Sequence, residues 1–192
     1  KEEPLDMRFS PKEPQTAHNI VNNYNEKTLR KILYDFGEER SAKRITKAIL
    51  ANRPVHSSLQ LSEIIKSAKK YTRRGLHPAT KTFQALRIEV NGELENLKQG
   101  LSDSVQLVEP GGRIAVISYH SLEDRIVKQF FQEASSACIC PPEMPICSCN
   151  HKATVRTIYK KIIRPSTLEI AENPRSRSAK LRVAEKIECK TN

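Results

Sequence analysis

The residues best suited to chemistry lie together in Tyr119-His120-Ser121-Leu122-Glu123-Asp124-Arg125. An imidazole and two carboxylates this close in sequence can accept hydrogen bonds from a ligand or move a proton. They follow the turn Pro110-Gly111-Gly112 and the run Arg113-Ile114-Ala115-Val116-Ile117-Ser118, which reads as a strand apolar on both faces. Strands buried on both faces belong to parallel sheets flanked by helices. Such sheets bind ligands beyond the carboxyl ends of their strands. The Tyr119–Arg125 corner therefore falls where a site would be. His120 either faces a ligand or is a structural hydrogen-bonder. Ser121 and Asp124 have the spacing of a capping-box-like pair opening a helix through about residue 134, and for these two the cap is the simpler reading.

Cysteines form a second constellation. Cys138-x-Cys140 and Cys147-x-Cys149 stand close together, with His151 just beyond. Four thiolates can hold zinc tetrahedrally in a structural site. The commoner knuckle is C-x-x-C, so a rigid, proline-containing loop of free thiols is the alternative. Disulfides are disfavoured in a reducing cytosol. Cys189 reads as an ordinary residue near the end of a strand.

Charge supplies a third. The 192-residue chain carries +11. Residues 1–78 hold 16 Lys/Arg against 9 Asp/Glu, residues 79–149 hold 6 against 9, and residues 150–192 hold 11 against 4. Two basic zones thus flank a mildly acidic middle, a field that attracts the phosphates of nucleic acid. Arg40, Lys43, Arg44 and Lys47 form an i, i+3, i+4, i+7 stripe opposite Ala42, Ile45 and Ile49. Arg73, Arg74 and Lys81 lie nearby in sequence, and Arg175, Arg177, Lys180 and Arg182 form a later basic group. Each is read as an RNA contact, with a solvated charged face as the alternative. The chain has no Trp and 5% aromatics, which argues against a wide stacking surface. No apolar run approaches the roughly 20 residues of a membrane helix. Lys1-Glu2-Glu3-Pro4 is not a signal peptide, so the expected location is the cytoplasm.

The elements that position these groups are mostly helical. Thr16 is expected to cap a helix through Tyr24. Asn25 caps a second, with Leu29, Ile32, Leu33 and Phe36 inward and Gly37 as its stop. A third is predicted over 38–52, and a fourth after Ser62 with Leu61, Ile64, Ile65 and Ala68 inward. Pro78 opens a long helical stretch to Val108, broken near Asn91-Gly92. Strands are predicted over 155–163 and 178–187, with a short helix capped at Ser166 between them.

Several long motifs run in order along the chain: Pro4-Leu5-Asp6-Met7-Arg8; Phe36-Gly37-Glu38-Glu39-Arg40; His77-Pro78-Ala79-Thr80-Lys81-Thr82-Phe83-Gln84-Ala85-Leu86-Arg87-Ile88; Ser118-Tyr119-His120-Ser121-Leu122-Glu123-Asp124-Arg125; and Asn173-Pro174-Arg175-Ser176-Arg177-Ser178-Ala179-Lys180-Leu181-Arg182. In these the chain resembles the bacterial small-subunit ribosomal RNA cytosine-N4 methyltransferases, a class I family dependent on S-adenosylmethionine. The resemblance implies an α/β fold: the C-terminal part of a class I methyltransferase (Rossmann-like) sheet with an inserted small helical domain. Residues 1–15 would enter from the methyltransferase domain, 16–76 would form the insertion that recognises substrate, and 77–192 would complete the methyltransferase part. It implies methyl transfer to the exocyclic amine of a cytidine in the decoding region, with small-subunit ribosomal RNA as partner. His120, Asp124 and Asp6 are then the expected hydrogen-bond acceptors at the reacting amine, and Arg87 and Arg125 join the RNA contacts. The family's glycine-rich turn and the acidic residue after its second strand have no counterpart here, so the cofactor-binding residues are expected upstream of residue 1. The rival reading is a non-catalytic RNA- or ribosome-binding protein, zinc-stabilised, that lost the cofactor half.

Overall fold

The computed structural model describes residues 3–69, 77–141, 144, 147–159 and 161–188. The chain packs as two compact units, residues 1–93 and 94–192. Among the described residues, no helix is long and apolar enough to cross a membrane.

The first unit is helical: α1 (Ala17–Asn23), α2 (Glu26–Asp35), α3 (Ala42–Ala51), α4 (Ser58–Ala68) and α5 (Thr80–Asn91). Side-chain caps fix three of the starts. Thr16 Oγ1 accepts from the Asn19 amide at 3.2 Å, Asn25 Oδ1 from Thr28 at 2.9 Å, and Ser57 Oγ from Gln60 at 3.2 Å. Each such cap stabilises its helix by about 1 kcal/mol. Ser57 rather than Ser62 thus opens the fourth helix, five residues earlier than the sequence pattern predicted. The third helix also starts later than expected, at Ala42. Glu38 sits at φ 46°, and Glu39 turns inward to a 2.6 Å ion pair with Lys69, which keeps residues 38–41 out of the helix.

Ile20, Leu29, Leu33, Ile45, Ile49, Leu61, Ile65 and Leu86 are buried in one core. At Gly37 a Cβ would stand 2.6 Å from the Lys81 carbonyl oxygen, so only glycine lets the end of α2 approach α5 this closely. Gly92, at φ 57°, ends α5 in the left-handed region, and the expected break near Asn91-Gly92 is observed. Residues 3–15 belong to this unit too. Leu5 is buried in its core, the Ala17 and His18 amides donate to the Asp6 and Leu5 carbonyls, and Asn91 clamps the Phe9 amide and the Met7 carbonyl. The boundary set by packing therefore falls at 93/94. The boundaries drawn from sequence were 15/16 and 76/77.

The second unit contains α6 (Glu93–Leu107), β1 (Arg113–Ser118), α7 (Ser121–Ala134), β2 (Val155–Thr157), α8 (Thr167–Glu172), a 3-10 turn (Pro174–Ser178) and β3 (Lys180–Lys186). Its sheet runs β1-β3-β2, and both pairings are antiparallel. Ile114 faces Ala184, Val116 faces Arg182, and Ser118 faces Lys180. Among the described residues β1 thus has an antiparallel neighbour and lies at an edge, where a strand of a parallel sheet, buried on both faces, was expected. One face packs: Ile114 and Val116 meet Leu101 and Val105 of α6 and Val127 and Phe131 of α7. On the other, Ile117 is 59% exposed. The apolar run alone could not report this, because alternation is hidden when both faces carry apolar residues. The strand expected over 155–163 is shorter, with Ile163 adding an isolated bridge to Leu181.

Candidate active site and nucleic-acid interface

The Tyr119–Arg125 corner is built by the end of β1 and the start of α7. His120 has extended backbone and serves as the N-cap. Its Nδ1 accepts from the Glu123 amide at 3.3 Å, while Glu123 Oε2 accepts from the Tyr119 amide at 2.8 Å and the His120 amide at 3.1 Å. Glu123 Oε1 lies 3.3 Å from His120 Nε2. The capping box is thus His120/Glu123, one residue before the expected Ser121/Asp124 pair. Both pairs have the same spacing, and an imidazole nitrogen can accept as a hydroxyl does. Tyr119 is 56% exposed beside it.

The shift frees Asp124 for a different task. Arg182 Nε donates to it at 2.8 Å, and Lys180 Nζ lies 3.4 Å away. Lys180 and Arg182 are two apart on β3, hence on one face of the sheet. Burial pushes the Asp124 carboxyl up, but the Arg182 hydrogen bond and the charges of Arg182 and Lys180 outweigh it, and its pKa lies below the ordinary value. Asp6 belongs to the first unit. Arg8 grips it with Nε at 2.6 Å and Nη2 at 2.9 Å, and that hydrogen-bonded guanidinium lowers its pKa.

The basic residues fall into two groups. Arg40, Lys43, Arg44 and Lys47 are all exposed, with Arg40 just before α3 and the rest on it. Arg40 and Lys43 flank a cavity of about 380 Å³, whose other wall is Lys27, Arg30, Lys31 and Tyr34 of α2. Asp35 is the one acid in that lining. Sequence reasoning passed over these α2 residues, although 27, 30, 31 and 34 repeat the i, i+3, i+4, i+7 spacing that drew attention to α3. Tyr34 is 65% exposed. Lys81 and Arg87, by contrast, are engaged in the fold. Lys81 Nζ donates to the Glu38 carbonyl at 2.8 Å, and Arg87 forks onto Glu93 at 2.7 and 2.9 Å. Arg125 is exposed on α7, and Arg175 and Arg177 are exposed on the 3-10 turn. Arg73, Arg74 and Cys189 lie outside the described residues.

Cys138, Cys140, Cys147 and Cys149 bring all four sulfurs within 4.8 Å of one another. The Cys140 amide favours the Cys138 thiolate, but hydrogen bonds with the Cys147, Cys140 and Cys149 sulfurs outweigh it, and that thiol is pushed up to about 12. The Ile139 and His151 amides bring Cys149 down to about 6. A cavity of about 840 Å³ opens at the Gly111 end of β1, opposite the His120 corner, beside His151, Lys152 and Arg156.

The described residues do not make a holder for S-adenosylmethionine. The glycine pair Gly111-Gly112 precedes β1 instead of following a strand. Asp6 and Asp124 are already bound to cations.

Known relatives fit this picture. The ribosomal RNA small subunit methyltransferase H of Dehalococcoides mccartyi strain 195 is 51% identical over 186 residues, which is 97% of this chain and 53% of that protein. The proteins of the same description from Carboxydothermus hydrogenoformans and Caldicellulosiruptor bescii are each 50% identical, over 96% and 97% of this chain and 60% and 62% of their own lengths. The chain thus spans between half and two thirds of these curated relatives. This identity, along the ordered motifs, places the chain among the methylases, and its mixed α/β fold is consistent with that. The sequence model of the MraW methylase family matches residues 1–187, and the chain belongs to that family.

Proposed function

We propose that this chain forms the RNA-recognising, target-base part of an S-adenosylmethionine-dependent methyltransferase acting on the exocyclic N4 amine of a cytidine in small-subunit ribosomal RNA. The observation that carries the reading is the identity of about half the residues, across nearly the whole chain, to proteins described as ribosomal RNA small subunit methyltransferase H. In this reading the Rossmann-like sheet is completed by the part of the relatives' length that this chain does not span, the helical unit is the insertion, and the protein works in the cytoplasm on ribosomal RNA or the assembled small subunit. S-adenosylmethionine would supply the methyl group. A zinc ion at the four cysteines is a separate, structural element.

The chain's own residues have three tasks. The α2/α3 cavity takes the RNA backbone: five cations face it against one carboxylate, and Tyr34 offers a ring on which a base can stack. Arg44 and Lys47 extend the basic surface of the helical unit, and Arg125 on α7 is a further proposed RNA contact. The Tyr119–Arg125 corner faces a flipped-out cytidine. A cytosine amine is a weak nucleophile because its lone pair is delocalised into the ring, so oriented acceptors and positioning would provide much of the rate. His120, Asp124 and Asp6 are the proposed acceptors. All three are engaged in the fold: the two aspartates are held by cations and the His120 Nδ1 lone pair accepts from the Glu123 amide, so each would have to release a partner to accept from the amine.

The test uses the complete polypeptide with small ribosomal subunits that lack the modification. Labelled methyl should enter ribosomal RNA, and nucleoside analysis should return N4-methylcytidine. Label on another atom or base, or none on ribosomal RNA, would overturn the reading.

A further inference from the structure

We propose that Cys138, Cys140, Cys147 and Cys149 bind one zinc ion in a closed tetrahedral site that folds the loop joining α7 to β2. Sulfur to sulfur, Cys138–Cys147 is 3.4 Å, Cys147–Cys149 3.6 Å, Cys149–Cys138 3.7 Å and Cys140–Cys147 4.0 Å. A zinc–thiolate bond is about 2.3 Å, so the edge of a regular ZnS₄ tetrahedron is about 3.8 Å. Four of the six edges thus lie between 3.4 and 4.0 Å, and the remaining two are within 4.8 Å. All four are free thiols, with no disulfide between any pair. The Cys140 amide donates to Cys138 Sγ at 3.4 Å, the kind of second contact that orients a metal-bound sulfur.

A second observation is independent of the sulfurs. None of the described residues from 135 to 154 is buried. Ile139 and Met144, the large apolar side chains described there, are exposed. Such a loop cannot be ordered by burial, and long loops without their own core are uncommon in compact units. Its two ends are nevertheless pinned: the Thr154 amide donates to the Ala134 carbonyl at 2.8 Å, and the His151 ring meets the Glu133 carbonyl at 2.9 Å. The ligand atoms that converge are the four sulfurs, without a His151 nitrogen among them, so the donor set is all sulfur. Four thiolates select zinc over hard cations, and four ligands leave no open position for a substrate. On binding, the thiols release their protons to solvent and no electron is transferred. The site is structural and does not depend on the methyl-transfer reading.

The test is the metal content of chain purified in reductant without chelator. Stoichiometric zinc is expected. C138S and C147S should lose it, and C189S should keep it. Cobalt exchanged into the site should give the strong visible bands of tetrahedral thiolate coordination, a readout that needs no variant. Removing the metal should speed hydrogen exchange in residues 135–157 and leave the helical unit unchanged. Substoichiometric zinc with thiols as reactive as in denatured chain would overturn the proposal, as would disulfides among the four found by mass spectrometry of reductant-free protein. Either failure would leave the ribosomal RNA assay unaffected.

Discussion

His120 closes the first turn of α7 with its ring, and that sets what its loss would cost. Replacing a good N-cap by alanine costs about 0.5–2 kcal/mol, whereas asparagine can serve as the cap. H120A should therefore lower stability in urea by about 1 kcal/mol, with H120N close to wild type. In the complete enzyme the pair also separates two roles. If H120N restores both stability and turnover, the ring positions the corner. If it restores stability alone, the imidazole itself meets the base. Asp124 carries a second prediction. Its pKa is lowered in the fold, so its contribution is full above the ordinary carboxylate value of about 3.9 and is lost as pH falls through the folded value below that. D124N should cost about 1–3 kcal/mol at neutral pH, and the gap between variant and wild type in urea unfolding should close as the solution is acidified below about pH 4. The corner was legible in the sequence as a cluster. Which of two equally spaced pairs would cap the helix was not, because the choice depends on Lys180 and Arg182, some 56 and 58 residues away, claiming Asp124.

At the scale of elements, the α2/α3 cavity joins two helices whose outward stripes are each unremarkable when read alone. Periodicity placed both helices and most of their inward residues, since Leu29, Leu33, Ile45 and Ile49 are buried as their spacing required. It could not show that the two polar faces meet. The start of α3 was also misplaced, because a burial decision at Glu39 overrode a continuous helical pattern. If this cavity holds phosphate, each cation that contacts one contributes about 0.7 to the slope of log affinity against log salt on single-stranded RNA. Changing Lys27, Arg30, Lys31, Arg40 and Lys43 together to alanine should flatten that slope by about 3.5 and weaken binding without regard to sequence. Y34A should cost about 1–3 kcal/mol of single-strand affinity while leaving the salt slope unchanged. Both are read from RNA titrations across a salt series. An unaltered slope in the charge variant would mean the stripes are only solvated.

On the scale of the whole molecule, the two units differ in how they are held. Among the described residues the helical unit clusters 18 buried apolar residues, and the sheet unit clusters 7. Fully burying a large aliphatic side chain contributes about 1.5–3 kcal/mol, so the helical unit has the deeper reserve. Hydrogen exchange should find the slowest amides in α2, α3 and α4, with faster opening across β1, β2 and β3 in the same sample. Comparable protection in both units would contradict this. The helical unit was largely readable from sequence because its contacts repeat every turn. The sheet was not, because the pairing of β1 with β3 joins residues some 62 to 72 positions apart and nothing local to either strand encodes it.

The clamp at Asn91 has a consequence for the ageing of the protein. Asn-Gly is the dipeptide in which the glycine nitrogen most easily attacks the preceding side-chain carbonyl, expelling ammonia to give a cyclic imide that water then opens to aspartate or isoaspartate. Here the Gly92 nitrogen gives its hydrogen to the Ile88 carbonyl, and the Asn91 amide is held by Phe9, Met7 and Arg87. Folding thus withholds both reactants from each other. An excursion that unravels the end of α5 would start an irreversible clock, for a carboxylate at 91 would afterwards face the Met7 and Arg87 carbonyl oxygens and oppose refolding.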